Sequence, residues 1–536
     1  LGKTYSTPKL AYQARFENER RWLTFDILCG RFTEDHKLWK HFKKSGIAKE
    51  DLNFFIENPC VPDIFGYNHY LTSERFLDER LDLYPAHTHG GNRRHKYADV
   101  ESIRVEMEEE SGLKVLLKEA WARYKKPIAI TEVHLHCHRE EQLRWFKQVW
   151  EIANELNKEK IDIRAVTTWA MLGSFGWNKL LTQPKGDYEP GAFDVRNGKL
   201  RPTALANFIK EINEHKTVAH PLSLEKGWWQ RNSRILYSPV IKQVRLNKIS
   251  NTAPILIIGK NGTLGKAFAK ICDERYLSYK LLGRTDCDLR QPEQIEKAIN
   301  LYKPWAIINA AGYVRVDDAE NDIENCFRDN TIGAHNLAVC CKQAGIQLIS
   351  FSTDLVFDGQ KTTPYIESDI VHPLNIYGKS KEASERLILN SYSQALVIRT
   401  SAFFGPWDEY NFVHYVRKNL LQDEQINVAN DLVISPTYVP DLVNSTLDIL
   451  IDKESGIWHL ANKGSITWAN LAFEIADGFG LDKSLINPIS ANEMNFAAKR
   501  PGNTVLSSER GVLLPTLENA LRRYMHEQKR EKRKVA

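Results

Sequence analysis

From residue 253 onward, short apolar runs alternate with amphipathic stretches that have helical spacing. Apolar runs separated by helices are typical of βαβ units, and successive units build a parallel sheet covered by helices on both faces. The pattern therefore predicts an α/β domain of the doubly wound, Rossmann type. The apolar runs are Ile255–Ile258, Trp305–Ile308, Gln347–Phe351 and Leu396–Arg399.

The preceding part of the chain has a different pattern. Residues 1–215 mix aromatic-rich helical stretches with short apolar runs, such as Pro127–Thr131 and Ile163–Thr168. Residues 216–252 show no sustained period and are predicted to form a linker, which the pair Trp228–Trp229 packs onto a neighbouring element. We therefore divide the chain into a domain at 1–215, a linker at 216–252, a second domain at 253–525 and a basic tail at 526–536.

Composition and charge exclude several classes of protein. The 536 residues are 42% hydrophobic and 26% charged, as in ordinary globular proteins, and the eight cysteines form no C-x-x-C pair. Seven basic and two acidic residues between 521 and 536 equal the whole net charge of +5, so no broad nucleic-acid-binding face is expected. No apolar run reaches the roughly 18 residues that span a membrane. We expect a cytoplasmic protein that binds neither membrane nor nucleic acid.

A glycine-rich segment follows the first apolar run of the second domain. Gly259, Gly262 and Gly265 stand between a predicted strand and a predicted helix. Glycines at this spacing allow a tight turn and a close approach to a pyrophosphate, which the helix N-terminus attracts. The alternative is a turn that only packs helix on strand.

The second strand ends at Gly283-Arg284, where an NAD site usually has an acidic residue. Arg284 suits a 2′-phosphate, so we predict NADPH, with NADH as the alternative.

A second motif, Tyr377-x-x-x-Lys381, begins a predicted helix, and residues four apart share one helix face. An ammonium beside a tyrosine favours the phenolate, so we expect Lys381 to lower the pKa of Tyr377 and prepare it for proton transfer to a carbonyl. The motif alone is common. Thr353 strengthens it, because it ends an apolar strand, and ligands of open α/β sheets bind at that edge.

These motifs resemble the dTDP-4-dehydrorhamnose reductase family of extended short-chain dehydrogenases/reductases. The resemblance covers about 270 residues. It is carried, in the family's order, by INAAGYVRVDDAE (308–320), STDLVFDG (352–359), YGKSK (377–381), RTSAFFG (399–405), Asn411–Phe412, SPTYVPDL (435–442) and KRPGNTVLS (499–507).

The resemblance implies a Rossmann fold with a small substrate-binding subdomain and NADPH-dependent reduction of the C4 ketone of a nucleotide-linked 4-keto-6-deoxyhexose. Arg315 and Phe403–Phe404 depart from the family pattern and leave the exact sugar open. For the oligomeric state, a homodimer is one possibility. The implied catalytic residues are Thr353, Tyr377 and Lys381. The implied cofactor contacts are Gly259, Gly262, Thr263, Leu264, Gly265, Arg284, Asp288, Leu289, Ala310, Ala311, Tyr377 and Lys381, and the implied substrate contacts are Asp317 and Arg500.

The first domain resembles the C-terminal half of a family 1 glycoside hydrolase barrel. PDIFGYNHYLTS (62–73), KPIAITEVHLH (126–136) and TTWAMLGSFGWN (167–178) follow the order of three barrel strands. The resemblance implies a partial (β/α)8 barrel with Glu132 at the position of the nucleophile. A retaining glycosidase needs two carboxyl groups, and the Asn-Glu-Pro stretch of the family's acid is missing. Gly176 and Val133 also replace family residues, so we do not expect glycosidase activity.

Three alternatives remain. His134, His136 and His138 alternate as metal ligands could, but no fourth ligand is evident and we predict no metal site. The second domain could be a noncatalytic module that binds a nucleotide sugar and NADP. It could also be an epimerase or dehydratase that retains NAD, against which Arg284 argues.

Overall fold

The computed structural model describes residues 2–176, 188–196, 198–215, 220–237 and 252–535. The chain divides into two compact units. Leu1–Asp194 and Arg201–Ser250 form the first unit, and Val195–Leu200 and Asn251–Ala536 form the second. The predicted domain boundaries stay predictions, and much of the predicted linker, at 216–219 and 238–251, lies outside the described residues.

The first unit contains a three-stranded parallel sheet in the order β2-β6-β7 and a four-stranded sheet in the order β1-β3-β5-β4. Its strands are β1 (Thr4–Ser6), β2 (Phe65–His69), β3 (Arg75–Asp78), β4 (His89–Gly91), β5 (Lys96–Glu101), β6 (Ile128–Val133), β7 (Ile163–Thr168), β8 (Ser174–Phe175), β9 (Tyr188–Glu189), β10 (Phe193–Asp194) and β11 (Arg201–Pro202). Its helices are α1 (Ala11–Arg20), α2 (Leu23–Leu28), α3 (Trp39–Lys44), α4 (Lys49–Glu57), α5 (Leu113–Tyr124), α6 (Arg139–Lys158) and α7 (Ala204–His215).

The three parallel strands contain the segments that resemble hydrolase barrel strands. β2 pairs with β6 from Phe65 opposite Ile128, and β6 pairs with β7 from Ile128 opposite Ile163. Parallel neighbours joined through helices are what a piece of a (β/α)8 barrel requires. The barrel resemblance itself stays a prediction.

Part of the predicted linker packs on this first unit. Trp229 is buried, its ring lies 5.3 Å from that of Trp145 on α6, and its indole nitrogen bonds to Gln148 at 2.5 Å. Arg231 bonds to Glu141 at 2.6 Å. Residues 220–237 therefore extend the packed surface of the first unit.

The second unit is built on a six-stranded parallel sheet in the order β13-β12-β14-β15-β16-β21. The strands are β12 (Ile255–Ile258), β13 (Tyr279–Leu282), β14 (Ala306–Asn309), β15 (Gln347–Thr353), β16 (Leu396–Thr400) and β21 (Gly456–His459). Residues of β12, β14 and β16 are buried throughout, as expected for a sheet with helices on both faces. The strand order reverses between β12 and β14, which places a ligand crevice at their carboxyl ends.

Helices cover this sheet, and elements on both sides of β21 in the sequence form a small subdomain. The helices are α8 (Thr263–Glu274), α9 (Pro292–Tyr302), α10 (Ile323–Phe327), α11 (Gly333–Ala344), α12 (Ile376–Ser391), α13 (Phe412–Leu421), α14 (Val439–Ile451), α15 (Trp468–Phe479) and α16 (Leu517–Val535). The short strands are β17 (Phe403–Phe404), β18 (Ile426–Ala429), β19 (Val433–Ile434), β20 (Thr437–Tyr438), β22 (Ile466–Thr467) and β23 (Ile486–Ile489). The subdomain core joins α13, α15 and α16 around Tyr438 and Tyr524.

α16 runs without a break through the predicted boundary at residue 525. Within the described parts of the chain, no helix combines the length and the apolar character needed to cross a membrane.

Candidate active site

The glycine turn lies at the carboxyl end of β12 and forms one wall of a cavity of about 1390 Å³. Gly259 has φ +121°, and a Cβ atom there would approach the carbonyl oxygen of Ala310 to 2.6 Å. A Cβ atom on Gly265 would lie 2.1 Å from the carbonyl oxygen of Gly259. Both positions therefore require glycine, one for backbone conformation and close approach, the other for helix packing.

The first turn of α8 faces this cavity. Gly262 is its N-cap residue, and no side chain caps the helix. The free backbone N–H groups of the first turn, together with the helix dipole, suit a pyrophosphate. Gly262, Thr263 and Leu264 line the cavity, whereas Gly265 does not. The turn is thus a cradle of the shape and charge that a dinucleotide needs.

The next wall follows β13 and carries charged pairs. Arg284 lies 2.6 Å from Asp329, and Arg290 forms an ion pair with Asp288. Arg290 is the main cause that lowers the pKa of Asp288. Arg284, Asp288 and Leu289 all line the cavity, as predicted cofactor contacts should.

Ala310 and Ala311 follow β14 and line the same cavity. Sequence reasoning missed Asn330, the residue that fixes this loop. Its side chain accepts a hydrogen bond from Tyr313 N at 2.8 Å and donates to Tyr313 O at 3.0 Å and to Ser380 Oγ at 3.0 Å. Asn330 lies in a π-helical turn, a distortion often found at functional sites. It ties the loop after β14 to α12.

The predicted catalytic residues come together at one edge of the cavity. Thr353 ends β15, and its hydroxyl acts to lower the pKa of the nearby Tyr377 phenol, against the larger effect of burial. Lys381, one turn further along α12, places Nζ 5.9 Å from the centre of the Tyr377 ring and donates to Phe351 O at 3.1 Å. Thr353 and Tyr377 line the cavity, and Lys381 lies buried behind them.

The expected pKa shift of Tyr377 is wrong in direction. Burial, reinforced by the charge of Asp354, raises the pKa of the phenol above its ordinary value. Burial also lowers the pKa of Lys381 to about 8. Desolvation penalises the charged form of each group, and for Tyr377 the Lys381 ammonium, 5.9 Å from the ring centre, does not offset this penalty. The structure therefore holds Tyr377 in its protonated form at neutral pH.

Two further residues at this edge were missed. A Cβ atom on Gly378 would lie 2.3 Å from the carbonyl oxygen of Leu355, so glycine lets α12 pack on the loop after β15. Asp354 is buried, accepts from Ser401 at 2.7 Å and from Thr353 at 3.1 Å, and has a raised pKa because of its burial. In the sequence, each of the two residues was indicated only by its position, Gly378 within YGKSK (377–381) and Asp354 within STDLVFDG (352–359).

The predicted substrate residues contact each other. Arg500 Nη2 lies 2.7 Å from Asp317 Oδ2, and Asp317 Oδ1 accepts from Ala498 N at 2.9 Å. The guanidinium also lies 4.9 Å from the centre of the Phe496 ring. All but Ala498 line the cavity, so a positively charged group is held in place at its wall.

The candidate residues of the first unit are paired among themselves. Glu132 is hydrogen-bonded to Tyr70. His134 lies 3.0 Å from Glu189 and 2.9 Å from Trp169 O, and a small cavity of about 10 Å³ lies beside it. Among the residues that the structure describes, no group of three or more His, Cys, Asp or Glu side chains is arranged to hold a metal ion.

A dinucleotide cradle at the switch point of a parallel sheet, with a hydroxyl, a phenol and an ammonium beside it, defines a class: the second unit is an oxidoreductase of the short-chain dehydrogenase/reductase type. Comparison with known families agrees with this class. The model of the RmlD substrate binding domain matches residues 253–529, and the chain belongs to that family.

Relatives with curated names match the same region. A dTDP-4-dehydrorhamnose reductase of Aggregatibacter actinomycetemcomitans is 33% identical over 47% of this chain and 90% of its own length. The spore coat polysaccharide biosynthesis protein SpsK of Bacillus subtilis is 30% identical over 51% of this chain and 97% of its own. A solved dTDP-4-dehydrorhamnose reductase from Bacillus anthracis, in complex with NADP, is 31% identical with a TM-score of 0.49, covering 51% of this chain and 99% of that one.

Proposed function

We propose that the second unit reduces the C4 ketone of a dTDP-linked 4-keto-6-deoxyhexose with NADPH, as in dTDP-rhamnose biosynthesis. The observation that carries the proposal is that Thr353 and Tyr377, with Lys381 behind them, line the cavity that the glycine turn also lines. The printed names of the relatives, dTDP-4-dehydrorhamnose reductases among them, support the substrate class.

The turn at Gly259–Gly265 and the N-terminus of α8 would hold the pyrophosphate of the cofactor, and Arg284 would face its adenosine end. When bound, NADPH supplies the hydride. Gly259 leaves no side chain between the turn and Ala310, so the backbone can approach the cofactor closely.

Tyr377 donates the proton in the reducing direction. Its raised pKa means that the phenol carries its proton at neutral pH, as a proton donor must before the hydride moves. The side chain of Thr353 is hydrogen-bonded to Asp354 at 3.1 Å, so the substrate carbonyl oxygen would meet the phenol beside a hydroxyl group that is held in position. Lys381 stabilises the phenolate that remains after the proton has left.

The substrate side of the cavity fits a nucleotide sugar. The volume of about 1390 Å³ exceeds the range of a pocket for one small ligand, roughly 300–1,000 Å³, and leaves room for a dinucleotide and a second molecule. Arg500 supplies a guanidinium, whose fork matches phosphate oxygens, and Asp317 holds it in position. Aromatic side chains of the subdomain, including Phe412 and Trp468, line the remaining wall.

The test is turnover by the purified full-length chain. NADPH and a dTDP-4-keto-6-deoxyhexose are mixed with the protein, and the nicotinamide absorbance is followed while the sugar product is separated by chromatography. We expect absorbance to fall in proportion to the product formed, with no turnover when the keto-sugar is replaced by dTDP-glucose, which has no ketone.

Two other outcomes identify the alternatives. Binding of NADPH without turnover over a panel of keto-sugars would contradict the proposal and indicate a noncatalytic nucleotide-binding module. NAD that stays bound through purification, with conversion of the sugar but no net consumption of cofactor, would indicate an epimerase or dehydratase.

A further inference from the structure

The cationic side chains that line the cavity differ in whether a carboxylate already neutralises them. Each of the four arginines forms an ion pair, whereas Lys260 has no carboxylate partner among the described residues. The pairs are Arg284 with Asp329 at 2.6 Å, Arg290 with Asp288, Arg315 with Asp318 at 3.3 Å and Arg500 with Asp317 at 2.7 Å.

Lys260 lies beside the end of β13. Its backbone N–H donates to Leu282 O at 3.1 Å, which joins the glycine turn to the last residue of that strand. A Cβ atom built on Gly283 would lie 3.6 Å from Lys260 Cβ and 3.8 Å from Lys260 Cδ. The lysine stem therefore runs along Gly283, at the edge of the sheet where Arg284 follows.

This edge is where the adenosine ribose of a dinucleotide is bound in doubly wound sheets. A 2′-phosphate at this ribose needs a positive charge that is free to contact it. Arg284 already shares its charge with Asp329, and Asp329 also accepts from Arg328 at 3.3 Å. Lys260 can meet the phosphate without first giving up a carboxylate.

We propose that Lys260, more than Arg284, selects NADPH over NADH by binding the 2′-phosphate. The inference rests on the proposed function only in taking NADPH as the cofactor. It reverses the expectation from the sequence, which assigned this role to Arg284, because the sequence does not show that Asp329 neutralises the arginine.

Binding of two nucleotides to the full-length chain tests the proposal by calorimetry. Adenosine 2′,5′-bisphosphate carries the 2′-phosphate and 5′-AMP lacks it, so the ratio of their dissociation constants isolates that group. The variants are Lys260→Gln, Arg284→Gln and the matched control Lys280→Gln, an exposed lysine on β13 that does not line the cavity.

We expect Lys260→Gln to weaken bisphosphate binding about tenfold, which is the loss of one charge-assisted contact, and Arg284→Gln about threefold. Lys280→Gln should change neither nucleotide, and 5′-AMP should bind all variants alike. A larger loss in Arg284→Gln than in Lys260→Gln overturns the proposal, as does an equal loss for both nucleotides in Lys260→Gln.

The test does not depend on one variant or on the sugar reaction. If Lys260→Gln does not fold, Arg284→Gln still decides, because the wild-type preference for the bisphosphate must largely survive in it. No sugar or hydride takes part in the assay. If the chain prefers the bisphosphate but reduces no keto-sugar, the inference stands and the proposed function is wrong. If it reduces the keto-sugar but shows no such preference, the proposed function stands and the inference is wrong.

Discussion

The two units of this chain differ in how they hold their reactive side chains. In the second unit, Thr353 and Tyr377 border a cavity of about 1390 Å³. In the first unit, Glu132 bonds to Tyr70 and His134 bonds to Glu189, beside a cavity of about 10 Å³. Reactive residue types occur in both, and in the second the structure places them against space for a ligand.

The comparison shows why a motif is weaker evidence than the surroundings of its side chains. Burial shifts the pKa values of Tyr377 and Lys381 beside a cavity, whereas Glu132 and His134 are hydrogen-bonded to neighbouring side chains. Perturbed titration beside a cleft is a general mark of functional sites.

Replacing Tyr377 by Phe removes the proton donor and leaves the ring in place. We expect kcat to fall by about 10²–10⁴-fold, since that is the usual contribution of a positioned acid. NADPH binding, measured by fluorescence, should change little. Full activity in Tyr377→Phe would show that Tyr377 is not the proton donor. The second unit would then lose the reactive side chain that distinguishes it from the first.

Replacing Gly378 by Ala forces a Cβ atom to within 2.3 Å of the Leu355 carbonyl oxygen. Displacement of α12 from the end of β15 should lower kcat by about tenfold to a hundredfold. It should also lower the free energy of unfolding by about 1–3 kcal/mol. Gly502→Ala is the matched control, because a Cβ atom there meets nothing within 4 Å. Equal behaviour of the two variants in kinetics and denaturant unfolding would refute the packing argument.

The pH dependence of kcat/KM should report Lys381, whose pKa is lowered to about 8. Below this pH the side chain is charged and stabilises the phenolate, and above it the charge is lost. We therefore expect kcat/KM to halve near pH 8 and to fall further, about tenfold per unit, at higher pH. A profile that stays level well above this value would show that the charge of Lys381 is not needed.

The smallest effect is expected in the first unit. Glu132→Gln should hydrolyse aryl glycosides at the same background rate as the wild type, because no second carboxyl group was predicted to act as the acid. The altered hydrogen bond to Tyr70 should change the free energy of unfolding by about 0.5–1.5 kcal/mol. Hydrolysis that depends on Glu132 would show that both units are enzymes and would contradict the difference drawn between their reactive side chains.

Local patterns predicted much of the second unit. The apolar runs at Ile255–Ile258 and Leu396–Arg399 lie on strands β12 and β16, and Gly259 and Gly262 border the cavity. The periodicity did not reveal β21 or the pairings among the short strands of the subdomain. Their positions depend on contacts between residues far apart in sequence, such as Val433 opposite Thr467.

The βαβ order, the glycine turn and the spacing of Tyr377 and Lys381 can be predicted from the order of residues, because each depends on neighbours within a few positions. Which charged side chains are paired depends on the folded chain. Asp329 is brought to Arg284 and Asp317 to Arg500 from distant parts of the chain. Burial raises the pKa of Tyr377 and lowers that of Lys381. Electrostatic interactions depend on distance and solvent exposure in three dimensions, neither of which the order of residues records.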